Sequence, residues 1–189
     1  MVLLSVRPVD ESLFDDVQAV FGAKGQAARC QCQGYRMGWY ARHTDDVAGR
    51  RELLRDQVME GHGLVAHLDG EPVGWCSVAP RSDFPYLRQT TWKGRAEDPD
   101  DPGIWAVTCF VTRAGHRRRG VSRALAAGTV DLARDRGARA LEAYPMQPAP
   151  GKDVPWGELS VGALSAFLAA GFRIVHTPSL RRAVVRYDF

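Results

Sequence analysis

A run of three arginines, Arg117–Arg119, leads directly into Gly120, Val121 and Ser122. Guanidinium groups bind phosphates through charge-assisted hydrogen bonds, and a glycine lets a phosphate approach the backbone closely. The run lies between an apolar segment typical of a buried strand and a segment with the spacing of an amphipathic helix. Because a helix N-terminus presents unpaired N–H groups and a partial positive charge, these residues predict a diphosphate site. An ordinary basic surface loop is the alternative interpretation.

Two common phosphate motifs do not explain this turn. A Walker A loop requires the pattern GxxxxGK[ST], which is missing. A dinucleotide-binding fingerprint requires GxGxxG followed by an acidic residue about 20 positions later. The turn contains a single glycine, Gly120. Neither template fits.

The four cysteines, Cys30, Cys32, Cys76 and Cys109, are the other residues that could do chemistry. Cys30-Gln31-Cys32 is a CxC pair, but no second pair follows to complete a zinc site. We therefore expect buried or partly buried thiols and no metal. Cys109 is expected to pack in the core.

Hydrophobic periodicity predicts the elements that must position the turn. Strands are predicted at 2–9, 64–68, 72–78, 104–111, 140–144, 172–176 and 182–188. Helices are predicted from the Asp10-Glu11-Ser12 start signal to Phe21, from 44 to 60, from 121 to 136 and from 160 to 170. Segment 22–38 is predicted to be irregular, 80–103 to be a long surface connection, and 145–156 to be a proline-rich loop. Interleaved strands and helices over one sheet predict an α/β or α+β class, with a single domain over 1–189.

Four segments, in chain order, resemble the GCN5-related N-acetyltransferase (GNAT) superfamily. Arg117-x-x-Gly120-x-Ser122 resembles its (Q/R)xxGx(G/A) pyrophosphate loop, and Trp105–Val111 resembles its splayed central strand. Gly74–Ala79 is similar to its third strand, and Ala163–Phe172 to its last helix. The resemblance covers nearly the whole chain. It implies a single mixed, mostly antiparallel sheet flanked by helices, with a splayed central strand pair and with acetyl-CoA as the acetyl donor.

The resemblance also implies which residues act on acetyl-CoA. Backbone N–H groups of the basic turn would hold the pyrophosphate, the main chain at Val111 would pair with the pantetheine arm, and an N–H near Phe110 and Val111 would donate to the thioester oxygen. The amine would attack the thioester directly in a ternary complex. The residues implied to bind the cofactor are Cys109, Phe110, Val111, Arg117, Arg118, Arg119, Gly120, Val121, Ser122, Arg123, Ser160 and Phe167.

Three positions depart from the family pattern. Ser122 replaces the usual Gly or Ala, and Ser160 stands where many members have an Asn that contacts CoA. Phe167 occupies the position of the Tyr that is often proposed as the general acid, and phenylalanine has no proton to donate. Tyr144 is a candidate replacement for this acid, and a role in the core is the alternative.

Candidate base and acceptor residues come from the neighbouring segments. Glu142 lies on the strand after the motif helix, where a carboxylate can act as a general base directly or through water. The alternative is that Glu142 pairs with one of the many arginines. Trp39 and Tyr40 are predicted to form a substrate wall, and packing onto the core is the alternative. Asp153 and Glu158 are predicted to bind a cationic acceptor, in an acidic groove that also includes residues 97–101.

These observations predict an acetyl-CoA-dependent N-acetyltransferase that acts on a primary amine of a small cationic molecule, such as an aminoglycoside antibiotic. A protein N-terminus or a lysine side chain is the alternative acceptor. An alternative of another class is a non-catalytic, CoA-binding regulatory domain.

The bulk properties agree with an enzyme of this kind. The chain has 189 residues and a formal net charge of +3, which is too small to indicate nucleic-acid binding. It lacks a run of 18 apolar residues and an N-terminal signal pattern, so we expect no membrane partner and a cytoplasmic location. A homodimer is left open.

Overall fold

A computed structural model describes residues 3–41, 45–148, 151–152 and 156–189, without the side chains of 39–41 and 156–157. Strands in these ranges form one sheet in the order β1-β2-β3-β4-β5-β7-β6. They are β1 (Leu4–Pro8), β2 (Leu64–Leu68), β3 (Glu71–Pro80), β4 (Ile104–Thr112), β5 (Ala140–Ala143), β6 (Arg173–Ser179) and β7 (Arg182–Asp188). Five of the six neighbouring pairs are antiparallel, and β4 and β5 are parallel. The predicted mixed, mostly antiparallel sheet is confirmed.

Helices flank the sheet on both faces. They are α1 (Phe14–Phe21), α2 (Gln26–Cys30), α3 (Gly34–Ala41), α4 (Val47–Met59), α5 (Arg88–Thr91), α6 (Val121–Asp135) and α7 (Leu164–Ala169), with short 3₁₀ turns at Glu11–Leu13, Arg81–Asp83, Pro85–Leu87 and Trp156–Val161. None of the helices in the described ranges is long and apolar enough to cross a membrane.

The prediction of an irregular segment at 22–38 was wrong, because this segment contains α2 and most of α3. Its glycines and glutamines carry little local helical signal. The helices are stabilised by tertiary contacts instead: Ala28 and Cys32 are buried, and α2 packs against α4.

The prediction of a surface connection at 80–103 was also wrong in part. The segment contains α5 and two 3₁₀ turns, and Phe84, Leu87 and Thr91 are almost completely buried. Phe84 and Leu87 pack with Ala79, Ala106 and other residues in a core cluster of their own. This segment therefore packs against the sheet and covers part of it.

Residues of β4 face two different cores, and the alternation of a regular strand is reversed at the extra residue Thr108. Val107 and Phe110 pack in the cluster that includes Leu125 of α6. Cys109 and Val111 pack against the cluster that includes α1, α4 and Trp75. The two faces of β4 are therefore separate chemical environments.

Gly74 determines how closely α6 can approach the sheet. A Cβ at this position would overlap Val121 Cγ1, and it would lie 3.1 Å from Leu125 Cδ1. The absence of a side chain on β3 thus lets the first turn of α6 lie directly on the strand.

Candidate functional site

Strands β4 and β5 separate near the middle of the sheet. Their pairing runs from Ile104 opposite Ala140 to Val107 opposite Ala143 and ends there. Strand β4 continues to Thr112, still paired with β3 on its other side. The register with β3 shifts at Ser77 and Val78, so that Thr108 is an extra residue in β4. The predicted splay is confirmed, and no strand of the described ranges pairs with the β5 side of β4 over residues 108–112, which is called the open edge below.

The basic turn joins this open strand to α6. Residues Arg117–Gly120 are exposed, and both Arg118 (φ 59°) and Gly120 (φ 83°) adopt the left-handed conformation. Gly120 is the N-cap of α6, and no side chain in the described part of the chain caps the helix. The first amides of α6 therefore face outward beside three guanidinium groups, an arrangement that suits a diphosphate.

His116 and Arg113 anchor the start of this turn. Arg113 Nη1 donates to Glu71 Oε1 at 2.7 Å, and His116 Nε2 lies 3.7 Å from Glu71 Oε2. Both contacts tie the end of β4 to the start of β3. His116 is thus placed as a structural residue of the turn.

Glu142 is completely buried and accepts six hydrogen bonds. Its Oε1 atom accepts from Arg95 Nη2 and Arg186 Nη2, both at 2.6 Å, and from Arg186 Nε at 3.0 Å. Its Oε2 atom accepts from the Tyr144 hydroxyl at 2.9 Å, Arg95 Nη1 at 3.1 Å and Arg81 Nη1 at 3.2 Å. Although burial raises the pKa of Glu142, these arginines lower it from 4.5 to about 2.

This environment matches the arginine-partner interpretation of Glu142. A carboxylate with so low a pKa is a weak proton acceptor, and its lone pairs are already engaged. The geometry therefore disfavours Glu142 as the general base. Local sequence patterns do not single out Arg81, Arg95 and Arg186. The register of β5 and β7, which places Arg186 opposite Glu142, is the one signal that could have identified a partner.

Tyr144 lies in the core rather than on a groove wall. It is 1% exposed, and its hydroxyl group donates a hydrogen bond to Glu142. Burial and the neighbouring Glu142 charge raise the pKa of Tyr144 well above 10. Both effects disfavour Tyr144 as a general acid and agree with the core alternative.

The acidic groove predicted for a cationic acceptor is neutralised by arginines. Glu97 accepts hydrogen bonds from Arg95 and Arg186, and Glu158 pairs with Arg181. Two further pairs join Asp100 to Arg88 and Asp101 to Arg139. These carboxylates hold protein segments together, which corrects the expectation that they form a free acidic surface.

The remaining predicted residues fall into three groups. Phe167 is completely buried and stacks edge-on against Phe110 and Phe172, with ring centroids 5.5 Å and 5.2 Å away. Ser160 is exposed at the end of the 3₁₀ turn before α7. The side chains of Trp39 and Tyr40, and all of Asp153, lie outside the described residues.

The four cysteines all lie in the described ranges, and none is in a disulfide. Within the same ranges, no three His, Cys, Asp or Glu side chains converge as metal ligands. Cys109 packs as expected, but its thiol also hydrogen bonds to Cys32, a contact for which the sequence carries no signal.

Comparison with known proteins agrees with this geometry. The model of the acetyltransferase (GNAT) family matches residues 27–149, whereas no curated protein sequence matches the chain. The ribosomal-protein-alanine N-acetyltransferase of Brucella melitensis shares 15% identity over 98% of this chain and 99% of its own, with a TM-score of 0.57. The Salmonella typhimurium protein yncA, solved with acetyl-CoA, shares 14% over 98% and 93%, with a TM-score of 0.55.

A third solved structure is the aminoglycoside acetyltransferase AAC(6')-Ib in complex with ribostamycin and coenzyme A. It shares 16% identity over 98% of this chain and 93% of its own, with a TM-score of 0.56. At these identities the structures establish a shared fold, and the family model covers more than half of the sequence. The chain belongs to the GNAT family of N-acetyltransferases.

Proposed function

We propose that this enzyme transfers the acetyl group of acetyl-CoA to a primary amine of a small molecule, by direct attack in a ternary complex. The observation that carries the proposal is the open edge of β4 over 108–112, which runs into the uncapped N-terminus of α6. The open strand would pair with the extended pantetheine arm of CoA, and the adjoining helix N-terminus would bind its diphosphate.

The donor half of the site fits CoA on two grounds. The unpaired main chain of β4 offers hydrogen bonds to an extended amide-containing arm, as an added strand would use them. The amides of Val121, Ser122 and Arg123, next to the left-handed turn at Arg118 and Gly120, suit the pyrophosphate. Two of the solved structures that share this fold contain acetyl-CoA or CoA, which supports the assignment.

The chain would contribute orientation and polarisation to the reaction. A backbone N–H near Phe110 and Val111 would point to the open edge of the strand, where a thioester carbonyl can accept its hydrogen bond and become more electrophilic. Holding the amine against the carbonyl then lowers the entropic part of the barrier. Phe167 closes this region with an apolar ring, so the thiolate of CoA leaves without a proton from that position.

The acceptor is proposed to be a small amine, and an aminoglycoside is the specific class to test first. The likeness to a structure that holds ribostamycin supports this class. The pairing of Glu97, Asp100, Asp101 and Glu158 with arginines gives no support to a strongly acidic groove. A peptide N-terminus or a lysine side chain is therefore kept as a competing acceptor in the experiment.

The test is release of free thiol from acetyl-CoA over a panel of aminoglycosides, polyamines and peptides, with CoA binding measured separately by calorimetry. We expect release with at least one small amine, and mass spectrometry should find one added acetyl group on its nitrogen. Release only with peptides would replace the small-molecule acceptor by a protein. CoA binding without thiol release from any amine would overturn the enzymatic proposal in favour of a regulatory domain.

A further inference from the structure

The turn between α2 and α3 places a thiol directly against the central strands. The sulphur of Cys32 accepts a hydrogen bond from Trp75 Nε1 at 3.4 Å, and the residue is 5% exposed. The thiol of Cys109 donates a hydrogen bond to the same sulphur, and the Ser77 hydroxyl lies beside it. Ser77 and Cys109 are paired across β3 and β4. Cys109 packs against the same buried cluster that contains Cys32 and Trp75, so the two thiols are neighbours.

The backbone holds Cys32 in this position at a conformational cost. Gln31 (φ 46°) and Cys32 (φ 60°) are consecutive non-glycine residues in the left-handed region. Hydrogen bonds from side-chain amides offset this cost. Gln18 Nε2 donates to Gln31 Oε1 at 2.9 Å, and Gln33 Nε2 donates to the Gln31 carbonyl at 3.0 Å. Such strain persists only when the surroundings over-determine it. The contact with Cys109 is thus held in place.

The two thiols differ in acidity. Burial acts to raise the pKa of Cys32, but hydrogen bonds from Cys109 and Trp75, together with the Arg36 charge, lower it below 9.0. The hydrogen bond to Cys32 and burial raise the pKa of Cys109 well above 9.0. Cys32 is therefore the more acidic thiol of the pair and the better nucleophile.

We propose that Cys32 and Cys109 form a redox-modification site, in which a hydroperoxide converts the two thiols into an intramolecular disulfide. The Cys32 thiolate attacks one peroxide oxygen, the O–O bond breaks, and the Cys32 sulphur becomes a sulfenic acid. The Cys109 sulphur then attacks the sulfenic sulphur, an S–S bond forms and water leaves. Two thiols are oxidised, and one hydrogen peroxide is reduced to two waters.

The geometry selects this pair among the four cysteines. Cys76 neighbours Ser77 in β3, but its side chain belongs to the core cluster around α6, on the other face of the sheet. Cys30 lies at the end of α2, two residues before Cys32. Cys109 is partly exposed and lies on the part of β4 beyond the splay. This modification is separate from acetyl transfer, and it can be tested without measuring catalytic turnover.

The test is to treat the whole protein with hydrogen peroxide, block the remaining thiols under denaturing conditions, and map the peptides by mass spectrometry. We expect the thiol count to fall from four to two, with one peptide pair joining Cys32 to Cys109. Dithiothreitol should restore all four thiols. The variants Cys30→Ser and Cys76→Ser should still form the disulfide.

The variants Cys32→Ala and Cys109→Ala should lose the disulfide. Because an alanine in the core can weaken folding, the fold of each variant is checked by circular dichroism. If a variant fails to fold, the peptide map of the wild-type protein decides the test. Four intact thiols after peroxide treatment would overturn the proposal. So would a disulfide that uses Cys30, or sulfenic and sulfinic acids on Cys32 without a link to Cys109.

Discussion

Arg186 Nη2 donates to Glu142 Oε1 at 2.6 Å, across the paired strands β7 and β5. The contact lies at the centre of a cluster in which Arg81 and Arg95 also bind the Glu142 carboxylate and Glu97 binds Arg95 and Arg186. The indole of Trp92 lies under the Arg81 and Arg95 guanidinium groups, 4.8 Å and 4.1 Å from their Cζ atoms. This cluster attaches segment 81–97 to the sheet beside the splay.

The buried carboxylate makes stability depend on acid pH. The pKa of Glu142 is about 2 in the folded protein and 4.5 ordinarily, so its stabilisation is complete above about pH 5 and is lost as the pH falls towards 2. At about 1.4 kcal/mol for each pKa unit, the loss amounts to about 3 kcal/mol. Urea unfolding from pH 7 down to pH 2 measures it. The variant Glu142→Gln should unfold with a shallower pH dependence.

The same variant should be less stable at pH 7, by about 3–5 kcal/mol, because it leaves three arginine charges without their shared buried partner. Glu97→Gln is the matched control, since the Glu97 side chain is 47% exposed and should contribute about 1 kcal/mol or less. Equal effects of the two variants would contradict the central role of Glu142.

Acetyl transfer should keep its pH profile when Glu142 is made neutral. The carboxylate is already ionised and fully hydrogen bonded, so Glu142→Gln should change the stability of the enzyme more than the pH midpoints of kcat/KM. The measurement is kcat/KM from pH 5.5 to 9 at a temperature where both proteins are folded. Disappearance of the midpoint on the acidic side of the profile would identify Glu142 as the general base after all.

Gly120 should matter more to CoA affinity than any one arginine of the turn. No atom lies within 4 Å of a Cβ built at Gly120, so Gly120→Val acts through the positive φ of 83°. At about 1–2 kcal/mol, this strain should weaken CoA binding about 5- to 30-fold by calorimetry. Gly120→Asn, which tolerates the left-handed region, should bind better than Gly120→Val. A single Arg117, Arg118 or Arg119 to Ala change that weakens binding more than Gly120→Val would reverse this ranking.

Because β3 and α6 are in close contact, a change in their packing should also change the binding of CoA. In Gly74→Ala the new methyl group overlaps Val121 and must displace the first turn of α6. We expect a lower melting temperature and weaker CoA binding. The double variant Gly74→Ala/Val121→Ala makes room for the methyl group and should recover part of the affinity. Failure of this rescue would show that Gly74 acts by another route.

Oxidation of Cys32 and Cys109 should reduce acetyl transfer. Cys109 is the second residue after Val107, where β4 leaves β5, so a disulfide would fix the α2–α3 turn beside the open strand. Peroxide-treated enzyme should lose activity and regain it with dithiothreitol, whereas Cys109→Ser should be insensitive to peroxide. Unchanged acetyl transfer in the presence of the disulfide would show that the modification does not control the enzyme.

Local patterns in the sequence were sufficient to predict the sheet strands and the position of the basic turn. A run of apolar residues such as 104–111 has few alternatives to a buried strand, and Arg117–Gly120 stands at a strand-to-helix junction that follows from periodicity alone. The helices in 22–38 and the packed segment 80–103 were missed because their stability comes from burial of Ala28, Phe84 and Leu87 against distant residues.

By itself, therefore, the sequence determined the order of the strands, the family and the place of the basic turn, all of which depend on residues that are close together in the chain. Only the tertiary structure decided that Glu142 is a partner of three arginines, 61, 47 and 44 residues away, and that Cys32 meets Cys109. The physical reason is that hydrogen bonding and charge act through space. The state of a carboxylate or a thiol depends on which distant side chains the fold brings to it.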